Sequence, residues 1–275
     1  MNYKLICIDM DGTLLNKNHN VSERNKEILR KAQDKGVTIA LTTGRMYTSA
    51  RIYSDIIGID SPIISGNGTN IRDKVTDELM YSLCLNKEQL CQIDSIVKDN
   101  GFDEFYYTYN CAIGKKDFPE NHPYIINNKT AKEKDKINIF ISEDIKKAFD
   151  RFNDKIVKCI CIDNREDKGR LFKIKEELQK NKELEVVSSA SNNFEVMRAG
   201  SSKGKAVSVL ADKYGIKREE VICIGDNEND LSMINYAGLG VAMGNACDLL
   251  KENADYITDT NENDGVAKVI EKFVL

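Results

Sequence analysis

Two aspartates separated by one residue follow the first apolar run of the chain. Asp9 and Asp11 end the predicted strand at residues 4–9, and Gly12 then permits a sharp turn. Alternate residues of an extended segment point to the same side, so both carboxylates face one site. Two carboxylates this close repel each other, and a cation or a proton is expected between them. The pair therefore predicts either a Mg²⁺ site or a nucleophile beside a general acid.

A second acidic cluster follows another predicted strand. Residues 225–230, Gly-Asp-Asn-Glu-Asn-Asp, begin where the strand at residues 221–225 ends. Ligands of open parallel sheets bind outside the carboxyl ends of the strands, so both clusters are expected at one edge. Mg²⁺ favours one or two carboxylates, waters and a substrate phosphate. Asp9, a main-chain oxygen of Asp11, and Asp226 would supply such a half-shell. The alternative is a pair of acidic surface loops.

Two further segments could bind phosphate. Thr43, Gly44 and Arg45 end the second predicted strand and bring a hydroxyl and backbone amides to the same edge, although alone they indicate a helix N-cap. Lys203 precedes a predicted helix, where a cation and helix amides can neutralise phosphate charge. Taken alone, Lys203 is one surface lysine among many.

The elements that must position these residues alternate between strand and helix. In the first third, strands are predicted at residues 4–9, 37–42 and 62–65, with helices at 22–35 and about 48–57. After Met197 the pattern resumes with a helix at 204–214, a strand at 221–225, a helix at 230–236, a strand at 239–242 and a helix at 265–273. Such alternation implies right-handed βαβ units and a parallel sheet.

The middle of the chain has a different pattern. A helix is predicted at residues 87–100 and β-rich runs at 104–109, 137–141, 156–163 and 184–190, interrupted by a polar stretch at 115–136. Before this middle segment, residues 65–69 predict a hairpin with a type I′ turn. The predicted fold class is therefore α/β, a Rossmann-like parallel-sheet core domain with an inserted α+β cap domain. The core comprises residues 1–82 and 195–275, and the cap residues 83–194.

Composition excludes several classes of function. The 44 acidic and 40 basic residues give a net charge of −4, which argues against a nucleic-acid binder. The 2 histidines, His19 and His122, lack the neighbours that a catalytic triad or a two-histidine zinc site requires. No segment predicts a signal peptide or a membrane span. The 8 cysteines form no CxxC pair, so we expect reduced thiols and a cytoplasmic location. The sequence indicates no oligomeric state.

Together the four segments resemble the motifs of the haloacid dehalogenase-like superfamily of phosphohydrolases, most closely its Cof-type, class IIB branch. The residues Asp9-x-Asp11-Gly-Thr resemble the first motif of this family. The inserted lobe falls where this branch carries its cap. The second motif is matched by Thr43-Gly44-Arg45 and the third by Lys203-Gly204. The fourth motif is matched by Gly225-Asp226-x-x-Asn229-Asp230.

The resemblance implies a role for each residue. Asp9 would be the nucleophile that forms an aspartyl-phosphate, and Asp11 would act as general acid and then as general base. Thr43, Gly44, Arg45, Lys203 and Asn229 would bind the phosphate or the rest of the substrate. Asp226 would bind Mg²⁺ together with Asp9 and Asp11, and Asp230 would be a further ligand or would orient the site.

These roles imply a Mg²⁺-dependent phosphatase for a small phosphorylated metabolite, with a sugar phosphate as the first candidate. The nearest alternative is a phosphomutase, which transfers the phosphoryl group to a second sugar hydroxyl. A regulator that binds a phosphorylated metabolite without turnover is the alternative from another class. Asp11 argues against dehalogenation, because the dehalogenases of the superfamily lack this residue.

Overall fold

The computed structural model describes residues 3–166, 169–188 and 191–275. The strands are β1 Leu5–Ile8, β2 Thr38–Thr42, β3 Ile63–Ser65, β4 Asn70–Arg72, β5 Leu79–Ser82, β6 Asp103–Tyr107, β7 Cys111–Gly114, β8 Asn138–Ile141, β9 Lys158–Ile162, β10 Leu184–Val187, β11 Asn193–Arg198, β12 Val221–Gly225, β13 Leu239–Ala242 and β14 Tyr256–Ile257. The α-helices are α1 Glu23–Asp34, α2 Tyr47–Ile57, α3 Lys87–Val97, α4 Pro123–Thr130, α5 Ile145–Arg151, α6 Gly169–Gln179, α7 Lys203–Lys213, α8 Leu231–Tyr236, α9 Asp248–Asn253 and α10 Gly265–Phe273.

The chain divides into two compact units. The first contains the residues up to Tyr81 together with Ser202–Leu275, and the second contains Ser82–Ser201. The predicted boundary between residues 194 and 195 lies inside β11, which pairs with β9 and β10 in the sheet of the second unit. Because these hydrogen bonds keep β11 in that sheet, the boundary lies after the strand. The assignment of the units as core and cap stays a prediction.

The sheet of the first unit brings the ends of three strands together. Its order is β14-β13-β12-β1-β2-β3-β4-β5, and β1 runs parallel to both β12 and β2. All residues of β1 and β12 are buried, as expected for apolar parallel strands with both faces covered. The segments that follow β1 and its two neighbours therefore meet at one edge of the sheet, where an open parallel sheet binds its ligand.

The hairpin after β3 is confirmed, but its predicted turn type is wrong. Strands β3 and β4 are antiparallel and pair Ser65 with Asn70, which leaves a four-residue loop at residues 66–69 in place of a two-residue turn. Within this loop Asn67 has φ 57° and ψ 36°, a left-handed conformation that asparagine tolerates better than most residues. The Asn67 side chain is buried in this loop.

Helix α7 begins at Lys203 and packs closely on α8. Ser202 caps α7 by accepting a hydrogen bond from the Lys205 amide at 3.1 Å. Gly204 has no room for a side chain, since a Cβ atom there would lie 2.2 Å from the carbonyl oxygen of Ser232. The Gly204 amide instead donates to the Ser232 hydroxyl at 3.0 Å. These contacts fix the first turn of α7 and with it the backbone of Lys203.

The second unit is a mixed sheet with α3, α5 and α6 packed against it. Its strand order is β10-β11-β9-β6-β7-β8, antiparallel except for the parallel pair β7 and β8. Tyr106, Phe149 and Phe194 are fully buried in one core to which α3, α5 and α6 all contribute. The polar stretch at 115–136 contains α4, which buries none of its residues and so lacks the apolar periodicity that predicts a helix. The predicted strand at 184–190 ends at Val187 as β10, and residues 189 and 190 lie outside the described residues.

Two further expectations concern the environment of the chain. In the part of the chain that the structure describes, no helix combines the length and apolar character needed to cross a membrane. The eight cysteines are free thiols in the same described part, as their spacing predicted. Five of them are buried.

We predict that Gly204→Ala destabilises the protein by about 1–3 kcal/mol, the usual cost of overpacking a well-packed contact. Alanine is favoured over glycine in a helix by about 1 kcal/mol, but a contact of 2.2 Å to a backbone oxygen outweighs this gain. Urea unfolding measures the change, and the exposed neighbour Lys205→Ala is the control, expected within about 0.5 kcal/mol of the wild type. A Gly204→Ala protein as stable as the wild type would contradict the packing described.

Candidate active site

A buried lysine lies between two aspartates at the carboxyl edge of the sheet. The Lys203 ammonium donates to Asp9 Oδ1 at 2.6 Å and to Asp230 Oδ1 at 2.5 Å. All three side chains are buried, with relative exposures of 1%, 5% and 0% in that order. Asp9 directly follows β1, and Lys203 opens α7. Two segments nearly 200 residues apart in sequence are thus joined by one charged hydrogen bond.

Asp226 completes the acidic cluster from the end of β12. Its Oδ1 accepts a hydrogen bond from the Thr13 hydroxyl at 2.8 Å. Gly12 has φ +82°, and a Cβ atom there would lie 2.3 Å from Asp226 Oδ2. Glycine is therefore required at this position for two reasons, the left-handed backbone and the close approach of the carboxylate. The loop after β1 is held against the loop after β12 by this contact.

Asp230 uses both of its carboxylate oxygens within the protein. Oδ1 accepts from Lys203, and Oδ2 accepts from the backbone amides of Asp226 and Asn227 at 2.9 and 3.0 Å. A carboxylate with this many donors orients its neighbours. This geometry favours the second of the two predicted roles, in which Asp230 orients the site.

The electrostatic balance of the cluster is unfavourable without a further cation. Burial and then the charge of Asp230 raise the pKa of Asp9 well above its usual range, although Lys203 opposes this. Burial and Asp230 also raise the pKa of Asp226 to about 6. Burial would lower the pKa of Lys203, but Asp230 and Asp9 outweigh it, so its pKa is raised and the ammonium stays charged. One ammonium does not balance three carboxylates.

A metal ion would fit this arrangement. Carboxylate oxygens of Asp9, Asp226 and Asp230 lie within 4.8 Å of one another. Oxygen ligands of this kind suit hard divalent cations, and burial together with the charge of Asp230 raises the pKa values of Asp9 and Asp226, which a bound cation would offset. Since Asp230 is already engaged by three donors, Asp9 and Asp226 are the better candidates for direct ligands.

The second predicted motif also reaches this edge of the sheet. Thr43 is buried, and its hydroxyl oxygen accepts from the Arg45 amide at 3.1 Å, which leaves its O–H available as a donor. Arg45 forms a two-pronged ion pair with Asp11, from Nε to Oδ2 at 2.8 Å and from Nη2 to Oδ1 at 2.5 Å. The side chain of Asp11 thus lies against Arg45, outside the group of three carboxylates that could hold a metal ion.

Asn67 connects the second and fourth motifs. Its Oδ1 accepts from the Asn229 side chain at 3.1 Å, and a Cβ atom at Gly44 would lie 2.9 Å from the same oxygen. Asn67 is buried, with an exposure of 2%. The sequence predicted Asn229 and Gly44 as site residues and predicted a turn at Asn67. The Asn-Gly pair, which favours a positive φ, and the polar amide side chain were the signals available.

Two asparagines near the C-terminal end support the loop after β1, and sequence reasoning missed both. Asn245 donates to the carbonyl oxygen of Gly12 at 2.8 Å and accepts from the Asn261 amide at 3.0 Å. The Asn261 side chain in turn donates to the carbonyl oxygen of Leu15 at 2.8 Å. Together they hold the backbone between Gly12 and Leu15. No sequence pattern links residues so far apart, so only the fold reveals them.

Comparison with known proteins agrees with the motifs. Residues 6–270 match the family of haloacid dehalogenase-like hydrolases. The chain belongs to this family. Two curated relatives from Bacillus subtilis are 5-amino-6-(5-phospho-D-ribitylamino)uracil phosphatases. YcsE is 37% identical over 99% of this chain and 96% of its own. YwtE is 32% identical over 98% of both chains.

Solved structures of the family have the same fold. A haloacid dehalogenase-like hydrolase from Bacillus subtilis superposes with a TM-score of 0.85 at 29% identity, covering 99% of this chain and 100% of its own. One from Bacteroides thetaiotaomicron gives a TM-score of 0.83 at 33% identity, covering 98% and 99%. The predicted α/β fold class, the superfamily and its Cof-type branch, and the enzyme class of phosphatase are confirmed.

We predict opposite effects on stability from two isosteric substitutions in the cluster. Asp230→Asn removes one of the two counter-charges of buried Lys203 and an acceptor of its backbone partners, so it costs about 3 kcal/mol. Asp226→Asn removes a charge that the folded state disfavours, since its pKa is raised to about 6. Above that pH the metal-free Asp226→Asn protein is at least as stable as the wild type.

Urea unfolding in EDTA at about pH 7.5 compares the two variants. The exposed Asp34→Asn is the control for loss of one negative charge at the surface and stays within about 0.5 kcal/mol of the wild type. Equal destabilisation by Asp226→Asn and Asp230→Asn would contradict the different roles assigned to these carboxylates.

Proposed function

We propose that the protein is a Mg²⁺-dependent phosphatase that hydrolyses a small phosphate monoester through a phosphorylated Asp9. The observation that carries this proposal is the group of Asp9, Lys203, Asp230 and Asp226 at the carboxyl edge of the parallel sheet. When bound there by Asp9, a main-chain oxygen of Asp11 and Asp226, Mg²⁺ would offset the negative charge of the carboxylates and the phosphate.

A substrate phosphate bound beside the buried carboxylate of Asp9 requires hydrogen-bond donors around it. Lys203 supplies a cation within 2.6 Å of Asp9, and Thr43 keeps a hydroxyl donor beside the loop after β2. Gly44 lies between Thr43 and Arg45, where the absence of a side chain makes room for the Asn67 amide that holds Asn229. Asn229, held by Asn67, would contact the part of the substrate next to the phosphate.

In the first step a carboxylate oxygen of Asp9 attacks phosphorus. The bond between phosphorus and the ester oxygen breaks, and Asp11 protonates that oxygen as the alcohol leaves. Lys203 favours the ionised form of Asp9 against the effect of burial and would neutralise charge that develops on the phosphoryl oxygens. Proton transfer by a positioned group such as Asp11 contributes about 10²–10⁴-fold to the rate.

In the second step water attacks the phosphorus of the aspartyl-phosphate. Asp11, now ionised, takes a proton from this water, and the bond between phosphorus and Asp9 breaks. Inorganic phosphate leaves and the Asp9 carboxylate is regenerated. The same two aspartates thus serve both steps, and no histidine is needed.

The substrate class follows from the relatives. YcsE and YwtE are both named for a uracil derivative that carries a phosphorylated ribityl chain. We propose that this chain acts on a small metabolite with its phosphate on a sugar or a sugar-derived chain. We also propose a cytoplasmic location, because the cysteines are free thiols, which a reducing compartment maintains.

The test of the proposed function is phosphate release from a panel of esters. The panel contains 5-amino-6-(5-phospho-D-ribitylamino)uracil, several sugar phosphates and nucleoside monophosphates. We expect turnover with Mg²⁺ and none in EDTA, and we expect Asp9→Asn to lower kcat by at least about 10³-fold while the control Asp34→Asn keeps full activity. Isomerised esters without phosphate release would indicate a phosphomutase. Tight binding without any reaction would indicate a regulator.

The metal site predicts a pH-dependent stabilisation by Mg²⁺. The pKa of Asp226 is raised to about 6, so the stability contributed by its protonated form is lost as the pH rises through that value. Mg²⁺ competes with this proton. The rise in Tm caused by Mg²⁺, relative to KCl at equal ionic strength, is therefore larger at about pH 7.5 than at about pH 5. In the Asp226→Asn variant we expect no rise in Tm on addition of Mg²⁺. A rise that is independent of pH, or one that survives this substitution, would contradict the assignment.

A further inference from the structure

The side chain of Asp11 is held by one arginine. Arg45 donates to both of its carboxylate oxygens, from Nε at 2.8 Å and from Nη2 at 2.5 Å. Asp11 is exposed, with 47% of its side chain accessible, whereas the side chain of Arg45 is only 18% accessible. An exposed aspartate side chain can rotate freely when it has no partner. A planar guanidinium group that donates to both carboxylate oxygens restricts this rotation. The orientation of Asp11 therefore depends on Arg45.

Arg45 is itself fixed from the other side by Tyr53 of α2. Its guanidinium carbon lies 5.0 Å from the centre of the Tyr53 ring, within the range of a cation–π contact. Burial would lower the pKa of Arg45, but Asp11 and Tyr53 raise it beyond its usual value, so the fork is permanently charged. The chain of contacts runs from Tyr53 through Arg45 to Asp11.

We infer that Arg45 is a positioning residue for the Asp11 carboxyl group and that Tyr53 anchors it. This inference rests on the proposed function, in which Asp11 transfers the proton to the leaving oxygen. The resemblance to the family placed Arg45 among the substrate-binding residues. Its two donor nitrogens are instead directed at Asp11, and an arginine that bound the phosphate would have to release this pair.

The two roles differ in how they depend on the leaving group. An alkyl phosphate, such as a sugar phosphate, needs its leaving oxygen protonated, whereas p-nitrophenolate leaves without protonation. A residue that positions the acid therefore affects alkyl phosphates selectively. A residue that binds the phosphoryl group affects both esters equally, because both carry the same group. The comparison uses kcat/KM, which reports on steps up to the first irreversible one and excludes the hydrolysis of the aspartyl-phosphate.

The experiment measures kcat/KM of the Mg²⁺-loaded enzyme for one alkyl phosphate from the panel and for p-nitrophenyl phosphate. Arg45→Ala is expected to lower the value for the alkyl ester by about 10–100-fold, the scale of a misplaced catalytic group, and that for the aryl ester by less than about threefold. Arg45→Lys keeps the charge without the fork and is expected to behave like Arg45→Ala. Equal losses for both esters, or a gain with the alkyl ester, would overturn the inference.

His19 offers a matched control because it is a second basic side chain near Asp11. Its Nδ1 lies 3.7 Å from Asp11 Oδ1, too far for a hydrogen bond, and 69% of its side chain is exposed. His19→Ala is expected to leave the ratio of the two kcat/KM values unchanged. A shift in the ratio as large as that of Arg45→Ala would show that orientation of Asp11 is not specific to Arg45 and would overturn the inference.

Asp11→Asn separates this inference from the proposed function. If Asp11 is the acid, Asp11→Asn shows the same selective loss with the alkyl ester, and adding Arg45→Ala to it changes the ratio no further. A selective loss in Asp11→Asn but not in Arg45→Ala would overturn only the positioning role. Equal losses for both esters in Asp11→Asn would remove the acid role itself.

Tyr53 is tested in the same way with a conservative pair. Tyr53→Phe keeps the ring, and Tyr53→Leu removes it. The leucine variant is expected to lower the kcat/KM ratio of alkyl to aryl ester in the direction of Arg45→Ala, with the phenylalanine variant closer to the wild type. Thermal unfolding verifies that both variants are folded. An unchanged ratio in Tyr53→Leu would overturn the anchoring role of the ring.

Discussion

One buried ammonium group holds the candidate active site together. Lys203 lies between Asp9 and Asp230, two carboxylates from opposite ends of the sequence. Removing these charges from water is expensive, and only close pairing compensates for it. The parallel order of β12, β1 and β2 brings the three loops to one edge, and the contact of Gly204 with α8 fixes the helix that begins with Lys203.

The charge balance also explains how such a cluster can remain reactive. Asp230 is satisfied by three donors, whereas burial and the charge of Asp230 raise the pKa values of Asp9 and Asp226. A cation bound beside Asp9 and Asp226 would stabilise their charged forms. The net charge of −4 belongs to the whole chain and does not describe this site, where Lys203 sets the local field and a bound divalent ion would add to it.

Much of the site could be predicted because its residues lie at the ends of strands. Asp9, Thr43 and Asp226 each follow a buried apolar run, and the parallel-sheet rule brings such residues together. Side-chain partners were not predictable in the same way. The link from Asn245 to the Gly12 carbonyl and that from Asn67 to Asn229 join segments that no local pattern relates. The strand β11 at the predicted boundary was missed for a similar reason. Its alternating polar and apolar residues indicate a strand, but they do not show that this strand pairs with β9 and β10.

We propose above all that Asp9, held by Lys203, becomes phosphorylated during turnover. The most direct measurement is acid quenching of the Mg²⁺-loaded enzyme during turnover of its best ester, followed by mass spectrometry of the N-terminal peptide. We predict that phosphate is found on Asp9 and that it is absent from Asp9→Asn. Phosphate on another residue, or steady turnover with no phosphorylated enzyme under conditions that trap acyl phosphates, would contradict the account.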